Sequence, residues 1–232
     1  MSTYLSPIFV NHIDKNKVKT ICELGSRDLL DAVELHKFYN SDIYAFECNP
    51  DSLQTCYSTL SSLSEQTKTR VHLVEKAVSL EDGKQTFFSF DLSKYDNMGA
   101  SSLLKIDFSK RDRRDPDYNI PNPQKAVEIE GIRLDTFCKN NLISSIDMLC
   151  IDLQGYELNA LKSMGSDILK VKYIITEASV NSSYIGGTEF AQLDSFLTEN
   201  GFTYVVSDTY GLQKPNMNKT GFSEFNVLYS RL

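Results

Sequence analysis

Short apolar runs alternate along this chain with segments whose apolar residues recur at helical spacing, and no other feature restricts the fold as much. "VKTICEL" (Val18 to Leu24), "DIYAFEC" (Asp42 to Cys48) and "RVHLVEKAVS" (Arg70 to Ser79) read as strands. Between them lie two helices. The first is "DLLDAVELHKFY" (Asp28 to Tyr39), with apolar residues at Leu29, Leu30, Val33, Leu35 and Phe38. In the second, "NPDSLQTCYSTLSSL", Asn49 is placed to cap and Pro50 suits the first helical position. The alternation resumes with "IDMLCIDLQG" (a strand from Ile146 to Leu153), the helix "YELNALKSMG" stopping at Gly165, and the strand "VKYIITEAS". The helix "GTEFAQLDSFLTENG" ends at Gly201, and "FTYVVSDT" and "FNVLYSRL" follow as strands with no helix between them. The order β-α-β-α-β, an insertion, then β-α-β-α-β-β predicts an α/β protein with a mostly parallel sheet of about seven strands and helices on both faces. One of the last two strands is expected to run antiparallel.

The 232 residues suit one domain, 1–232, with the insertion at about 80–133. In the insertion, Asp82-Gly83 between apolar runs suggests a hairpin. Lys94 to Lys125 is polar, holds Pro116, Pro121 and Pro123, and is expected to be a mobile substrate-side loop. "AVEIEGIRLDTFCKNN" then gives a short strand and a helix start at Leu134-Asp135.

Apolar residues make up 41% and charged residues 24%, the balance of a globular protein rather than a disordered one. A net charge of −7 is a poor match to a nucleic-acid backbone, and the aspartates of "KRDRRD" (Lys110 to Asp115) offset much of that basic run. No nucleic-acid partner is expected. The five cysteines, Cys22, Cys48, Cys56, Cys138 and Cys150, contain no CxxC pair and are read as free thiols in a reducing, cytoplasmic compartment. The three histidines have no metal-ligand spacing. "MSTYLSPIFVNHIDK" does not read as a signal peptide, and no run approaches a membrane span.

In an open α/β sheet, ligands lie beyond the carboxyl ends of the strands. Acidic groups recur there: Glu23-Leu24-Gly25-Ser26-Arg27-Asp28, Glu47-Cys48-Asn49, Glu75-Lys76-Ala77, Asp152-Leu153-Gln154-Gly155 and Glu177-Ala178-Ser179. Gly25 lets the backbone approach a ligand. Glu47, 22 residues later, is placed to accept both hydroxyls of a ribose. Nicotinamide enzymes and adenosylmethionine enzymes share that pairing, and the glycine count separates them. A dinucleotide needs GxGxxG so that its pyrophosphate rests on a helix N-terminus. Only Gly25 is present, and Asp28 in the first turn of the helix repels a pyrophosphate while suiting a sulfonium or ammonium. The non-functional alternative is that Glu23 and Arg27 merely pair with each other.

Asp152 and Glu177 are alternative general bases for a weak hydroxyl nucleophile, and together offer oxygen ligands to a divalent cation. Glu157 is a third acidic candidate; its plain alternative is a helix N-terminal acid favoured by the macrodipole.

In combination and order, "ICELGSRD", "YAFECNP", "EKAVSLEDGKQTFF", "GASSLL", "GIRLDTFC" and "IDMLCIDLQGYELNALKSM" resemble the sequence blocks of the FkbM family of S-adenosylmethionine-dependent methyltransferases, over roughly Val18 to Leu232. The resemblance implies a Rossmann-like class I methyltransferase fold, S-adenosyl-L-methionine as donor, and O-methylation of a sugar, glycan or glycosylated natural product. It would put Glu23, Gly25 and Arg27 at the methionine end and Glu47 at the ribose, with Ser26 and Asp28 also among the cofactor-binding residues. Cys48, Asn49 and Ala77 would lie at the adenine, and Asp152, Gln154 and Glu157 in the fourth-strand block. Gln154 stands where the family usually has Glu, and Cys150 where Lys is common, which leaves the base and any metal open. A non-catalytic methyltransferase-like binding domain and an NAD-dependent oxidoreductase are the competing readings.

Overall fold

A computed structural model describes residues 2–91, 100–110, 124–216 and 224–231. The N-terminal segment holds a 3₁₀ turn, Thr3–Leu5, and helix α1, Pro7–Val10. Then come β1 (Thr20–Leu24), α2 (Leu30–Tyr39), β2 (Asp42–Phe46), α3 (Pro50–Ser62), α4 (Glu65–Lys68) and β3 (Val71–Val74). The insertion contributes β4 (Ala77–Val78), β5 (Gly83–Phe90) and β6 (Gln124–Ile132). The second half is α5 (Leu134–Asn140), β7 (Met148–Ile151), α6 (Glu157–Lys162), β8 (Tyr173–Ser179), α7 (Phe190–Glu199), β9 (Thr203–Ser207) and β10 (Glu224–Ser230).

Seven strands form the main sheet in the order β3-β2-β1-β7-β8-β10-β9. The first five are mutually parallel, and β10 pairs antiparallel with both β8 and β9. Strands this deeply buried read as continuous apolar runs because both faces are covered. Cys22 and Leu24 of β1, with Leu149 and Ile151 of β7, pack under α5, α6 and α7. Ile21, Met148 and Cys150 point the other way, into a core shared with the N-terminal segment, α2 and Cys56 of α3. This is the period-two alternation of a strand. All five cysteines are free thiols.

Several boundaries differ from expectation. The first helix starts at Leu30 rather than Asp28: the Leu30 N–H donates to Asp28 Oδ1 at 3.0 Å, so Asp28 caps the helix from outside it. α3 keeps its expected start, with Asn49 accepting from the Asp51 N–H at 3.2 Å and Pro50 as the first helical residue. α6 ends at Lys162, and Gly165 (φ +52°) opens a 3₁₀ turn, Gly165–Lys170, instead of closing the helix.

The third strand is cut in two. A tight turn, with the Lys76 N–H donating to the Val74 carbonyl at 2.8 Å, lifts Ala77–Val78 off the main sheet into a second one, β4-β6-β5. The expected hairpin at Asp82-Gly83 does not form. β5 pairs antiparallel with β6 from Gly83↔Gly131 to Phe90↔Gln124, and β4 pairs parallel with the other edge of β6. Gly131 permits this crowding, because a Cβ there would lie 2.4 Å from Ser79 Oγ and 2.6 Å from Gln85. Asp82 is drawn off instead to accept from the Arg133 N–H and the Thr136 hydroxyl, each at 2.8 Å.

Of the expected mobile loop, residues 94–99 and 111–123 lie outside the described residues, as does most of "KRDRRD". Residues 100–110 are tied down: Phe88 and Ser102 exchange backbone hydrogen bonds at 2.8 and 3.1 Å, and the Asp107 N–H donates to the Ser183 carbonyl at 2.8 Å. Gln124 and Lys125 belong to β6.

Candidate cofactor and acceptor site

The carboxyl ends of β1, β2 and β7, together with the second sheet, enclose a cleft of about 240 Å3. Gly25, Ser26, Arg27, Asp28, Glu47, Cys48, Asn49, Ala77, Asp152 and Gln154 all line it. Glu23, Glu157 and Glu177 do not, and sit behind its wall. No helix among the described residues is long and apolar enough to cross a membrane.

The turn after β1 is built on unusual backbone. Gly25 has φ +91°, Arg27 +54° and Leu29 +66°. A Cβ on Gly25 would lie 2.0 Å from the Asp152 carbonyl oxygen, so this glycine lets two neighbouring strand ends pass each other. The expected close approach is to backbone. The N–H groups of Gly25 and Ser26 both donate to the Phe46 carbonyl, at 3.0 and 2.9 Å, fixing the turn against β2. Left-handed conformations at residues other than glycine carry strain and concentrate at functional sites.

Glu23 does not pair with Arg27. It is buried, and its carboxylate accepts from the Ser26 hydroxyl at 2.7 Å. Arg27 reaches outward to Asp28 at 3.4 Å. Burial pushes the Glu23 carboxyl up to about 8; the Ser26 bond works against this, while Asp31, Asp28 and Glu47 add to it.

Glu47 is held by the backbone. Its Oε1 accepts from the N–H groups of Cys48 and Asn49, both at 2.7 Å, and Oε2 accepts from the Arg27 N–H at 2.8 Å. Burial raises its carboxyl above the ordinary range, and those three amides oppose the rise. A carboxylate oxygen has two acceptor positions. Oε2 therefore has one left at the edge of the cleft.

At the β7 end, the turn Leu153–Gly155 is secured from all sides. Glu157 Oε1 accepts from the Leu153 and Gly155 N–H groups at 3.1 and 3.0 Å. The Ser102 hydroxyl lies 3.2 and 2.9 Å from the Leu153 and Gln154 carbonyls. Glu157 is thus the first residue of α6 and also a brace for the turn before it. Burial pushes its carboxyl up to about 7.

Gln154 (φ +54°) projects its amide between two acids: Nε2 donates to Asp152 Oδ1 at 2.7 Å and to Glu177 Oε2 at 3.1 Å. Its Oε1 accepts from the Tyr184 hydroxyl at 2.8 Å. Burial, then the charges of Asp152, Glu157 and Glu224, push Glu177 up to about 10. Asp152 is also raised by burial, with the Gln154 amide opposing. The pair therefore holds a proton at neutral pH. Ligand atoms of Asp152, Glu157 and Glu177 lie within 4.8 Å of one another. The Gln154 N–H groups already supply positive dipole ends to two of these acids.

Thr3, Tyr4, Asp31, Ser52, Lys76, Phe87, Ser101, Leu103 and Tyr156 line the cleft without having been singled out as site residues. The "GASSLL" block marked Ser101 and Leu103 as a unit. Thr3 and Tyr4 carry no local signal, because only tertiary packing brings the N-terminus to the strand ends.

The sheet is that of a class I S-adenosylmethionine-dependent methyltransferase fold. Fibrillarin from Methanococcus jannaschii shares the fold, with a TM-score of 0.50 at 9% identity, covering 94% of this chain and 69% of that one. Magnesium protoporphyrin IX methyltransferase from Synechocystis PCC 6803 matches at a TM-score of 0.47 and 8% identity, over 97% and 74% of the two chains. The family model of the methyltransferase FkbM domain matches residues 27–204, and the chain belongs to that family. The 2-O-methyltransferase NoeI of Sinorhizobium fredii is 25% identical over 171 residues, which cover 72% of this chain and 65% of that protein.

Proposed function

We propose that the chain is a methyltransferase that binds S-adenosyl-L-methionine in this cleft and methylates a hydroxyl of a sugar, glycan or glycosylated natural product. The observation that carries the reading is Glu47: a buried carboxylate, fixed by three backbone amides, with acceptor capacity left for a ribose. The donor set fits the cofactor. Asp28, Asp31, Glu47 and Asp152 suit a sulfonium and an ammonium, and the first turn offers no glycine-rich cradle for a pyrophosphate. FkbM membership and the O-methyl transfer in the name of the NoeI relative agree with this.

When bound, adenosylmethionine supplies an electrophilic methyl group on sulfur. The chain's own part is to orient the acceptor hydroxyl and receive its proton. Asp152 borders the cleft and is the base in this reading. Glu177 lies behind Gln154 and shares its amide with Asp152, so it serves as a neighbour that helps to position that base. In-line placement of methyl and hydroxyl would supply much of the rate. No step here requires a metal.

A thermal shift with adenosylhomocysteine and with NAD tests the reading. Stabilisation by the first alone is expected; stabilisation by NAD alone would reverse it. The non-catalytic reading draws on Gln154, an amide between two carboxylates. Donor turnover against a panel of sugar acceptors separates catalyst from binding domain.

A further inference from the structure

The cleft has two chemically distinct ends. Ala77 and Phe87 pack with Cys48 and Leu103 in an apolar cluster on the second sheet, which suits a flat, uncharged base. The opposite end is walled by Asp28, Asp31 and Asp152, and closed by Thr3 and Tyr4 of the N-terminal 3₁₀ turn.

That turn is anchored. The Ser2 N–H donates to the Glu34 carboxylate on α2, the wholly buried Phe9 follows on α1, and the Asp14 N–H donates to the Tyr173 hydroxyl at 3.2 Å. Tyr4 is 5% exposed, with its ring in the core shared by Leu29, Ala32 and Cys150. Its phenol lies in the field of Asp152, Glu23 and Asp31, and among the described residues its hydroxyl meets no hydrogen-bond partner. Burial first, then those acidic charges, hold the proton on the oxygen. The hydroxyl therefore keeps a donor for a carboxylate and lone pairs for a cation.

We propose that the N-terminal turn is part of the ligand site, with Tyr4 as the binding residue that recognises the cationic amino-acid end of the nucleoside. The proposal rests on the methyltransferase reading above and adds a residue and a selectivity to it. The cleft should prefer a nucleoside thioether bearing an ammonium over the same thioether without one, and Tyr4 should carry part of that preference.

Calorimetry on the full chain tests this with two probes, adenosylhomocysteine and 5′-methylthioadenosine, which share the nucleoside and sulfur and differ in the amino-acid end. Tyr4→Phe is expected to weaken adenosylhomocysteine by roughly tenfold, the loss of a hydrogen bond to a charged group, and to leave methylthioadenosine unchanged. Tyr4→Leu should show at least the same selective loss, and the melting temperature of each free variant reports on folding. Unchanged adenosylhomocysteine affinity in a folded Tyr4→Phe, or an equal loss for both probes, would overturn the assignment of Tyr4 and leave the methyltransferase reading standing. Failure of the wild-type chain to bind adenosylhomocysteine would overturn both.

Discussion

Gln154 Nε2 lies 2.7 Å from Asp152 Oδ1, and the same nitrogen reaches Glu177 at 3.1 Å. One amide thus keeps two half-buried acids at close range. Gln154→Leu removes both donors and takes from the Tyr184 hydroxyl the nearer of its two acceptors, leaving it the Ala100 carbonyl at 3.3 Å. A loss of about 1–3 kcal/mol in urea unfolding is expected. Gln154→Glu replaces the donors with a third acid and should destabilise more at pH 8 than at pH 5, because repulsion requires ionisation. An equal loss at both values would show that Gln154 acts by packing alone.

Glu47→Ala is expected to abolish adenosylhomocysteine binding measured by calorimetry. It also strips three backbone amides of their acceptor, so the melting temperature should fall. Glu47→Gln keeps one oxygen and should retain more stability than affinity. Wild-type affinity in Glu47→Ala would count heavily against the ribose assignment.

Stability should decline with rising pH. Glu157, Glu23 and Glu177 have carboxyls raised from 4.5 to about 7, 8 and 10 in the folded chain. Above pH 4.5 the folded state therefore binds more protons than the unfolded state, and the stability this gives is lost as pH climbs through the folded values. Melting temperature should fall between pH 5 and 10 as these groups titrate, and Glu177→Gln should flatten the upper part of that fall. A profile that rises over this window contradicts the burial assigned to these acids.

Gly25→Ala places a methyl 2.0 Å from the Asp152 carbonyl at a φ of +91°. The expected cost is on the order of 2–4 kcal/mol, from backbone strain and overpacking together. Denaturant unfolding measures it, and a neutral result would mean that the β1 and β7 ends can part.

The sequence made the main sheet legible because each parallel strand is buried on both faces and each helix presents one apolar stripe. It could not show that Val74 to Ala77 turns sharply. A run such as "VHLVEKAV" has the same pattern whether it stays in one sheet or crosses to another. Asp82-Gly83 misled for a related reason. The dipeptide marks a turn, but Asp82 is claimed by Arg133 and Thr136, about fifty residues away. Ten of the thirteen residues expected at the site line the cleft, since strand ends in such a sheet converge whatever their side chains. Glu23, Glu157 and Glu177 were legible as acids at strand ends. Their placement behind the wall depends on side-chain direction, which spacing does not reveal. Tyr4 was invisible for the opposite reason: nothing local distinguishes a tyrosine that caps a cleft from one that fills a core.

The second sheet gives Ala77 from β4 and Phe87 from β5 to the cleft, and β6 runs through Arg133 straight into α5 of the main core. The second sheet is therefore not a detachable module. A chimera that borrows residues 77–132 from a relative to change what is methylated would import part of the proposed nucleoside pocket too. Acceptor choice and donor affinity would then be inherited together, and an engineer would have to optimise them as one trait.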